Sequence, residues 1–321
     1  MATKLNEDRA TKVEEFQFHV IPKRTTWENF QNAVYDPDKQ EFFGRTKRSW
    51  YQLLIFYGIF YTCLAALFAI CTRGLLATLD DRAPKWQLET SLIGTNPGLG
   101  FRPISSETRE GSLIWYNLKN ACTTSKWVNL LDEFLLPYRV KQIGRNYRSC
   151  DFDEELGDGY VCVVDVDSFG PCTSGNNYGY NSTSPCVFLK LNKIFGWVPT
   201  YYTKGQEGMP SDLKETIENE AKDNRTAVWI SCEGENPVDK ERIGGFNYYP
   251  GRGFPGYYYP YVNTENYLSP LIAVQIMNVE PNAIVNIECR AWAGNINYSG
   301  SDKNREGSVH FEILVDDPRV T

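Results

Sequence analysis

The strongest pattern along the chain is one uninterrupted apolar run. Trp50 to Cys71 reads WYQLLIFYGIFYTCLAALFAIC, 22 residues without a charge, and no other stretch matches it. At about 1.5 Å per residue such a helix is about 33 Å long, enough to cross a bilayer core of about 30 Å. The pattern predicts a membrane span that separates a short tail from a large second part. Arg45, Lys47 and Arg48 precede the span, whereas Arg73 is followed by Asp80 and Asp81. An excess of Lys and Arg marks the cytoplasmic flank. The N-terminus is therefore expected inside and the C-terminus outside. The run begins 49 residues in and is followed by no small-x-small site, which favours a signal anchor over a cleaved signal peptide. Trp50, Tyr51 and Tyr57 lie toward its inner end, where aromatic rings suit the interface.

After the span the period changes. Residues 77–110 are rich in Pro, Gly and Thr and read as a juxtamembrane stalk. Trp127, Leu130, Leu131, Phe134 and Leu135 then recur at helical spacing, and Pro137 is expected to stop that helix. Leu213, Ile217 and Ala221 predict a second short helix over Ser211–Ala221. The remainder reads as strands. In 285–291 apolar Val, Ile, Cys and Ala alternate with polar Asn, Glu and Arg. Val309, Phe311, Ile313 and Val315 alternate with His310, Glu312 and Leu314. That period of two marks half-buried antiparallel strands. Residues 161–164, 187–191, 228–232 and 271–277 are further candidates. Short strands with long loops suggest a β-sandwich. The expected organisation is a tail over 1–49, a span over 50–76, a stalk over 77–110 and an extracellular domain over 111–321.

Cysteines and sequons fall on one side of this division. Of nine cysteines, Cys63 and Cys71 lie in the span and seven follow it. The six from Cys150 onward form an even set outside, which favours disulfides over metal and allows fifteen pairings. There is no CxxC pair, and His19 and His310 are the only histidines, so no zinc site is expected. Cys122 is left over. Asn-x-Ser/Thr sequons stand at Asn181, Asn224 and Asn297, all after the span, where glycosylation would reach them.

The tail is too short and polar to bury a core. Its Lys23-Arg24-Thr25-Thr26 reads as an ordinary basic patch more readily than as a kinase site. A net charge of −7 argues against nucleic acid as a partner. Tyrosines gather between Tyr248 and Tyr267, and clustered Tyr suits protein interfaces as well as loop anchoring.

Little in the chain points to catalysis. Asp165-Val166-Asp167 follows an apolar stretch and has the form of the D-x-D metal motif of type II Golgi glycosyltransferases. On an alternating strand both carboxylates would share the wet face, and the simpler reading is a hairpin end. No GxSxG, HExxH or P-loop is present. No cofactor, metal ligand set or catalytic residue is assigned. His310 is read as a solvated or hydrogen-bonded strand residue.

Several motifs together resemble one family. Glu41-Phe42-Phe43-Gly44-Arg45-Thr46 with Ser49-Trp50 resembles EFLGRTxxSW. Phe56-Tyr57-Gly58-Ile59-Phe60-Tyr61 with Cys63-Leu64-Ala65 resembles FYxxFYxCLA. Phe101-Arg102-Pro103, Tyr258-Tyr259-Pro260-Tyr261, 270–275 and 287–291 resemble FRP, YYPY, PLLAVQF and IECKA. From about Trp27 onward the chain resembles the beta subunits of sodium/potassium-transporting ATPases, most of all the insect, nervana-like branch. Ser112–Ser125, with Cys122, looks like an insertion. The segment between Asn192 and Cys232 departs from the pattern, and the sequons at Asn181 and Asn224 have no counterpart in it.

The resemblance implies a non-catalytic plasma-membrane subunit with an immunoglobulin-like sandwich ectodomain. It implies the pairs Cys150–Cys162, Cys172–Cys186 and Cys232–Cys289, of which the third staples distant strands. It implies the catalytic alpha subunit as partner, with a small single-span regulatory subunit as a further one. The chain would aid alpha's folding and delivery and tune its potassium affinity. Tyr57 and Tyr61, four apart on one helix face, would pack against alpha, with Gly58 allowing close approach. The Tyr258, Tyr259, Pro260 and Tyr261 loop would contact alpha outside. Alternatives are an adhesion or junction ectodomain acting without a pump, and a glycosyltransferase using Asp165 and Asp167.

Overall fold

An uncovered helix dominates the first of two units into which the chain divides, Met1–Leu79 and Asp80–Thr321. The computed structural model describes residues 25–37, 40–140, 142–153, 156–301 and 304–319. The first unit contains α1 (Thr26–Val34), the two-residue strands β1 (Tyr35–Asp36), β2 (Glu41–Phe42) and β3 (Arg45–Thr46), and α2 (Lys47–Leu76). The strands form a small antiparallel sheet in the order β1-β2-β3. The apolar run makes α2, which extends beyond it at both ends. Thr46 caps it by accepting from the Ser49 N–H at 3.4 Å. Its 30 residues bury no side chain against protein. It is long and apolar enough to cross a membrane. Lys47 and Arg48 in its first turn and Arg73 in its last stand where headgroups accept charge. The tail thus has secondary structure, but none of its residues described for burial is buried, in keeping with its polarity. Of the basic patch, Lys23 and Arg24 lie outside the described residues, and Thr26 opens α1.

The second unit is mainly β. Its elements begin with β4 (Leu99–Arg102), β5 (Leu113–Asn117), α3 (Ala121–Arg139), β6 (Tyr147–Arg148), β7 (Val161–Cys162), β8 (Cys186–Leu191) and α4 (Ser211–Lys222). They continue with β9 (Ala227–Gly234), α5 (Pro237–Glu241), β10 (Gly245–Tyr249), β11 (Gly253–Pro255), β12 (Ile272–Met277), β13 (Ile284–Trp292), β14 (Ser299–Ser301), β15 (Asn304–Glu306) and β16 (Ser308–Asp316). One antiparallel sheet has the order β10-β12-β8-β4. The other has the order β11-β9-β13-β16-β5, with only β5 running parallel to its neighbour. Both contribute to one core. Phe101 on β4 stacks 5.0 Å from Phe311 on β16, and the Tyr248 hydroxyl on β10 accepts from Cys232 N on β9 at 2.9 Å.

The alternation along 285–291 and 309–315 decides which face is inward. Val285, Ile287, Cys289, Phe311, Ile313 and Val315 are fully buried, and Asn286, Glu288, Glu312 and His310 point the other way. On β9 both faces are covered. Val228 and Ile230 enter the main core, while Ala227 and Trp229 meet Leu213 and Ile217 of α4 in a second cluster with Met209 and Trp292. Two-sided cover explains the apolar run AVWISC.

Three disulfides close the unit. Cys150–Cys162 ties the β6–β7 pair, and Cys172–Cys186 ties a loop to the start of β8. Cys232–Cys289 spans 57 residues of sequence but joins directly opposed positions on neighbouring strands of one sheet. Its strands are distant in sequence only.

Two expectations need correction. The stretch read as stalk through residue 110 carries β4, whose Leu99 and Phe101 are core residues. The alternation is only four residues long, with Gly100 between, and the surrounding Pro and Gly conceal it. Pro137 does not stop α3, which runs on to Arg139. A proline one turn from a helix end loses a single backbone bond, and Tyr138, buried and donating to Ser269 O at 3.0 Å, holds the last turn.

Two outcomes are expected. Leu213→Ala removes a fully buried side chain and should cost about 3 kcal/mol, read as a lowered denaturant midpoint; an unchanged midpoint would show that α4 adds nothing to stability. Burial raises the Tyr201 and Tyr267 hydroxyls to about 12, above the usual value near 10. The fold therefore favours the neutral phenol, and its stability is full below pH 10 and lost as pH rises toward 12. Melting temperatures of the full chain in detergent should fall across that window. They should fall less when both residues are Phe.

Candidate partner-binding surfaces

The span offers one ordered aromatic face. Tyr57 and Tyr61 stack with ring centroids 5.8 Å apart and planes 21° apart, one turn above each other. They are 44% and 59% exposed, and no described residue buries them. Gly58 beside them has no atom within 4 Å of where a Cβ would stand. Thr62 turns its hydroxyl back onto Gly58 O at 2.7 Å and leaves no free donor there. Tyr57, Gly58 and Tyr61 are thus brought together on an open helix surface.

In the second unit, the aromatic loop divides into an anchored part and a displayed part. Tyr258 is buried and donates to Val163 O at 3.0 Å. The Tyr259 hydroxyl is enclosed without a protein partner, and its ring meets Trp197 edge-on at 5.6 Å. Burial pushes both phenols well above their ordinary range. Neither presents its hydroxyl to solvent. Pro260 is exposed and Tyr261 half-buried. Tyr261 donates to Asn263 Oδ1 at 2.8 Å, and its ring lies 4.9 Å from that of Tyr267. Lys193 places its ammonium 5.0 and 4.9 Å from these two rings. Its pKa is lowered by burial, with the charge of Lys190 adding to the effect. Tyr261, Lys193 and Asn263 border a cavity of about 400 Å³ whose other walls include Arg82, Trp86 and Ile93. The sequence pattern marked the tyrosines but not Lys193 or the 80–94 wall. Their only signal is the exposed apolar Trp86, Leu92 and Ile93 in a Pro- and Gly-rich stretch.

The carboxylates of the D-x-D do not share a strand face, because β7 ends at Cys162. Asp165 Oδ1 instead accepts from Asp167 N at 2.9 Å, and Asp165 O accepts from the Ser168 hydroxyl at 2.6 Å. This is an Asx turn, closed by the side chain of Asp165 itself. Among the described residues no group of three His, Cys, Asp or Glu is arranged to hold a metal ion. His310 stands on the outer face of β16, with Nδ1 2.8 Å from Glu235 and Nε2 3.6 Å from Glu312. Asn181, Asn224 and Asn297 are all exposed on the second unit. Cys63, Cys71 and Cys122 are free and exposed.

Comparison with known proteins supplies the remaining context. A family model described as sodium/potassium ATPase beta chain matches residues 21–311. The chain is 50% identical over 302 residues to sodium/potassium-transporting ATPase subunit beta-1 of Drosophila melanogaster, covering 94% of this chain and 96% of that one. It is 47% identical over 306 residues to subunit beta-2 of the same organism, covering 92% and 94%. It is 31% identical over 311 residues to subunit beta-1 of Tetronarce californica, covering 90% and 95%. A single uncovered apolar helix joined to a disulfide-bonded β unit, matched over nearly its whole length, places this chain in the sodium/potassium ATPase beta chain family.

Proposed function

We propose that the chain is the non-catalytic subunit of a sodium/potassium pump, acting through contacts with the catalytic alpha subunit. The observation that carries this is the match to the family along the chain, from tail through span to the last strand. The chain sits in the plasma membrane as a type II protein, with its N-terminus cytoplasmic and residues 80–321 outside. The tail, span and extracellular body divide at about residues 46 and 79 on this reading.

Each surface has a separate task. In lipid, helices gain little from the hydrophobic effect, so association depends on close packing and hydrogen bonds. The Tyr57–Tyr61 stack beside open Gly58 supplies both, a flat ring surface and two hydroxyls. Outside, Pro260 and Tyr261 with Lys193 form the part of the loop free to touch alpha, while Tyr258 and Tyr259 hold it in place. A cap that touches alpha's outward conformations unequally shifts their populations and with them potassium affinity. Covering alpha's apolar surface during assembly accounts for a role in folding and delivery.

The two facing sheets suit an immunoglobulin-like sandwich with long insertions. The cross-strand position of Cys232–Cys289, within one sheet, departs from the inter-sheet bridge of antibody domains. Exposure of Asn181, Asn224 and Asn297 leaves all three open to glycan.

Tyr57→Ala combined with Tyr61→Ala should lower recovery of the alpha subunit on detergent affinity purification by up to about tenfold, the worth of roughly one or two intramembrane contacts. Tyr258→Phe, which deletes only an internal hydrogen bond, should leave recovery unchanged. Undiminished recovery of alpha with the double variant would remove the helix-face assignment. No recovery of a pump chain with the unaltered protein would remove the function itself.

A further inference from the structure

The tail in front of the span carries apolar side chains that no described residue buries. Trp27, Phe30, Phe42 and Phe43 are 66%, 61%, 49% and 59% exposed. Four large rings this open within one short segment are more apolar surface than a soluble segment usually displays. They are ordered in pairs. Trp27 and Phe30 stack at 5.8 Å on one side of α1, and Phe42 and Phe43 meet edge-on at 4.8 Å on the β2–β3 hairpin.

The hairpin is fixed to its neighbours on both sides. Trp50, in the first turn of α2, donates its indole N–H to Phe42 O at 2.7 Å. Phe43 N–H donates to Val34 O at 2.9 Å and so ties the hairpin to the end of α1. Thr46 is at once the last residue of β3 and the cap of α2. The hairpin rings are thus held beside the point where the span begins, and α1 is joined to the hairpin through Val34. The hairpin turn is Phe43-Gly44, with φ of 48° and 69°. Glycine suits the second position, but a phenylalanine at positive φ is strained. The strain places a bulky ring at the tip, where no described residue buries it.

We infer that α1 and the β1–β3 sheet form a membrane-surface foot, with Trp27, Phe30, Phe42 and Phe43 seated in the interfacial region of the cytoplasmic leaflet and Arg45, Lys47 and Arg48 at the phosphate level. The occupant of the apolar surface is the lipid that already surrounds α2, because the patch continues from the span's first turn. Tryptophan and phenylalanine on one side of a short helix are the composition of an interfacial helix, and rings of this kind partition to the headgroup boundary. Charge is a secondary contribution. Residues 25–48 carry Glu28, Asp36, Asp38 and Glu41 against Lys39, Arg45, Lys47 and Arg48, so they are neutral overall. The foot therefore seats on zwitterionic lipid as well. It would set the depth and tilt of α2, since a helix about 45 Å long exceeds a core of about 30 Å and has room to slide or lean. The inference needs only that α2 spans a bilayer, so it stands or falls apart from the assignment to a pump.

The test uses the full chain, alone and with its pump partner, in phosphatidylcholine nanodiscs. Cys63, Cys71 and Cys122 are replaced by Ala, and a polarity-sensitive fluorophore is attached through Gln31→Cys, next to Phe30 on α1. Brominated acyl chains should reduce its emission about twofold, as for a group at the interface, and aqueous iodide should have little effect. Trp27→Ser, Phe30→Ser and Phe43→Ser together should reverse that pattern. In the unaltered tail, quenching by iodide but not by brominated lipid would overturn the foot. Protection from both quenchers only when the partner is present would give the surface to a protein and would overturn it equally.

Discussion

Thirty residues of helix that bury no side chain against protein are tolerable only in a solvent that asks for no polar surface. A helix satisfies its own backbone hydrogen bonds, so hydrocarbon accepts it, whereas water would face an unbroken column of Leu, Ile, Phe and Tyr. That one constraint organises the rest of the molecule. It puts Lys47 and Arg48 at one boundary and Arg73 at the other. It separates a tail with no disulfide from a body with three, as expected when the two face reducing and oxidising spaces. It also leaves a helix surface whose only available partners are lipid and another helix.

How far the fold could be read from the chain depended on whether burial was one-sided. β13 and β16 bury one face each, so their alternation was plain. α4 was legible for the same reason, since Leu213 and Ile217 share the face that meets β9. β9 itself gave only an apolar run, because α4 covers the side that would otherwise be polar. β4 was lost because four residues cannot establish a period amid Pro and Gly. Residues 113–117 and 245–249 were lost because aromatic and Asn side chains occupy both faces of short strands near the sheet edges. Pro137 misled because the rule against helical proline weakens in the last turn.

The candidate site was legible as composition but not as geometry. Clustered tyrosines suited an interface and loop anchoring alike, and sequence could not say which rings face inward. Tyr258 is spent on Val163 and Tyr259 on Trp197, while Tyr261 remains partly open. Lys193 was invisible because Tyr261 and Tyr267 lie far from it along the chain; only folding brings it over their rings. The D-x-D failed in the opposite sense. Its spacing was real, but Asp165 uses its carboxylate to close a turn on Asp167 N, which local chemistry permits as readily as metal binding does.

The buried half of the aromatic loop bears directly on how a subunit without chemistry can regulate one that has it. A binding surface shifts a partner's equilibrium only by the difference between its contacts with two states. A loop that reshaped itself to each state would make similar contacts with both and shift little. Tyr258 and Tyr259 are anchored in the core, so Pro260 and Tyr261 are held in one arrangement. On the proposed reading, the tyrosines buried out of reach matter to regulation because they keep the displayed surface from following a partner.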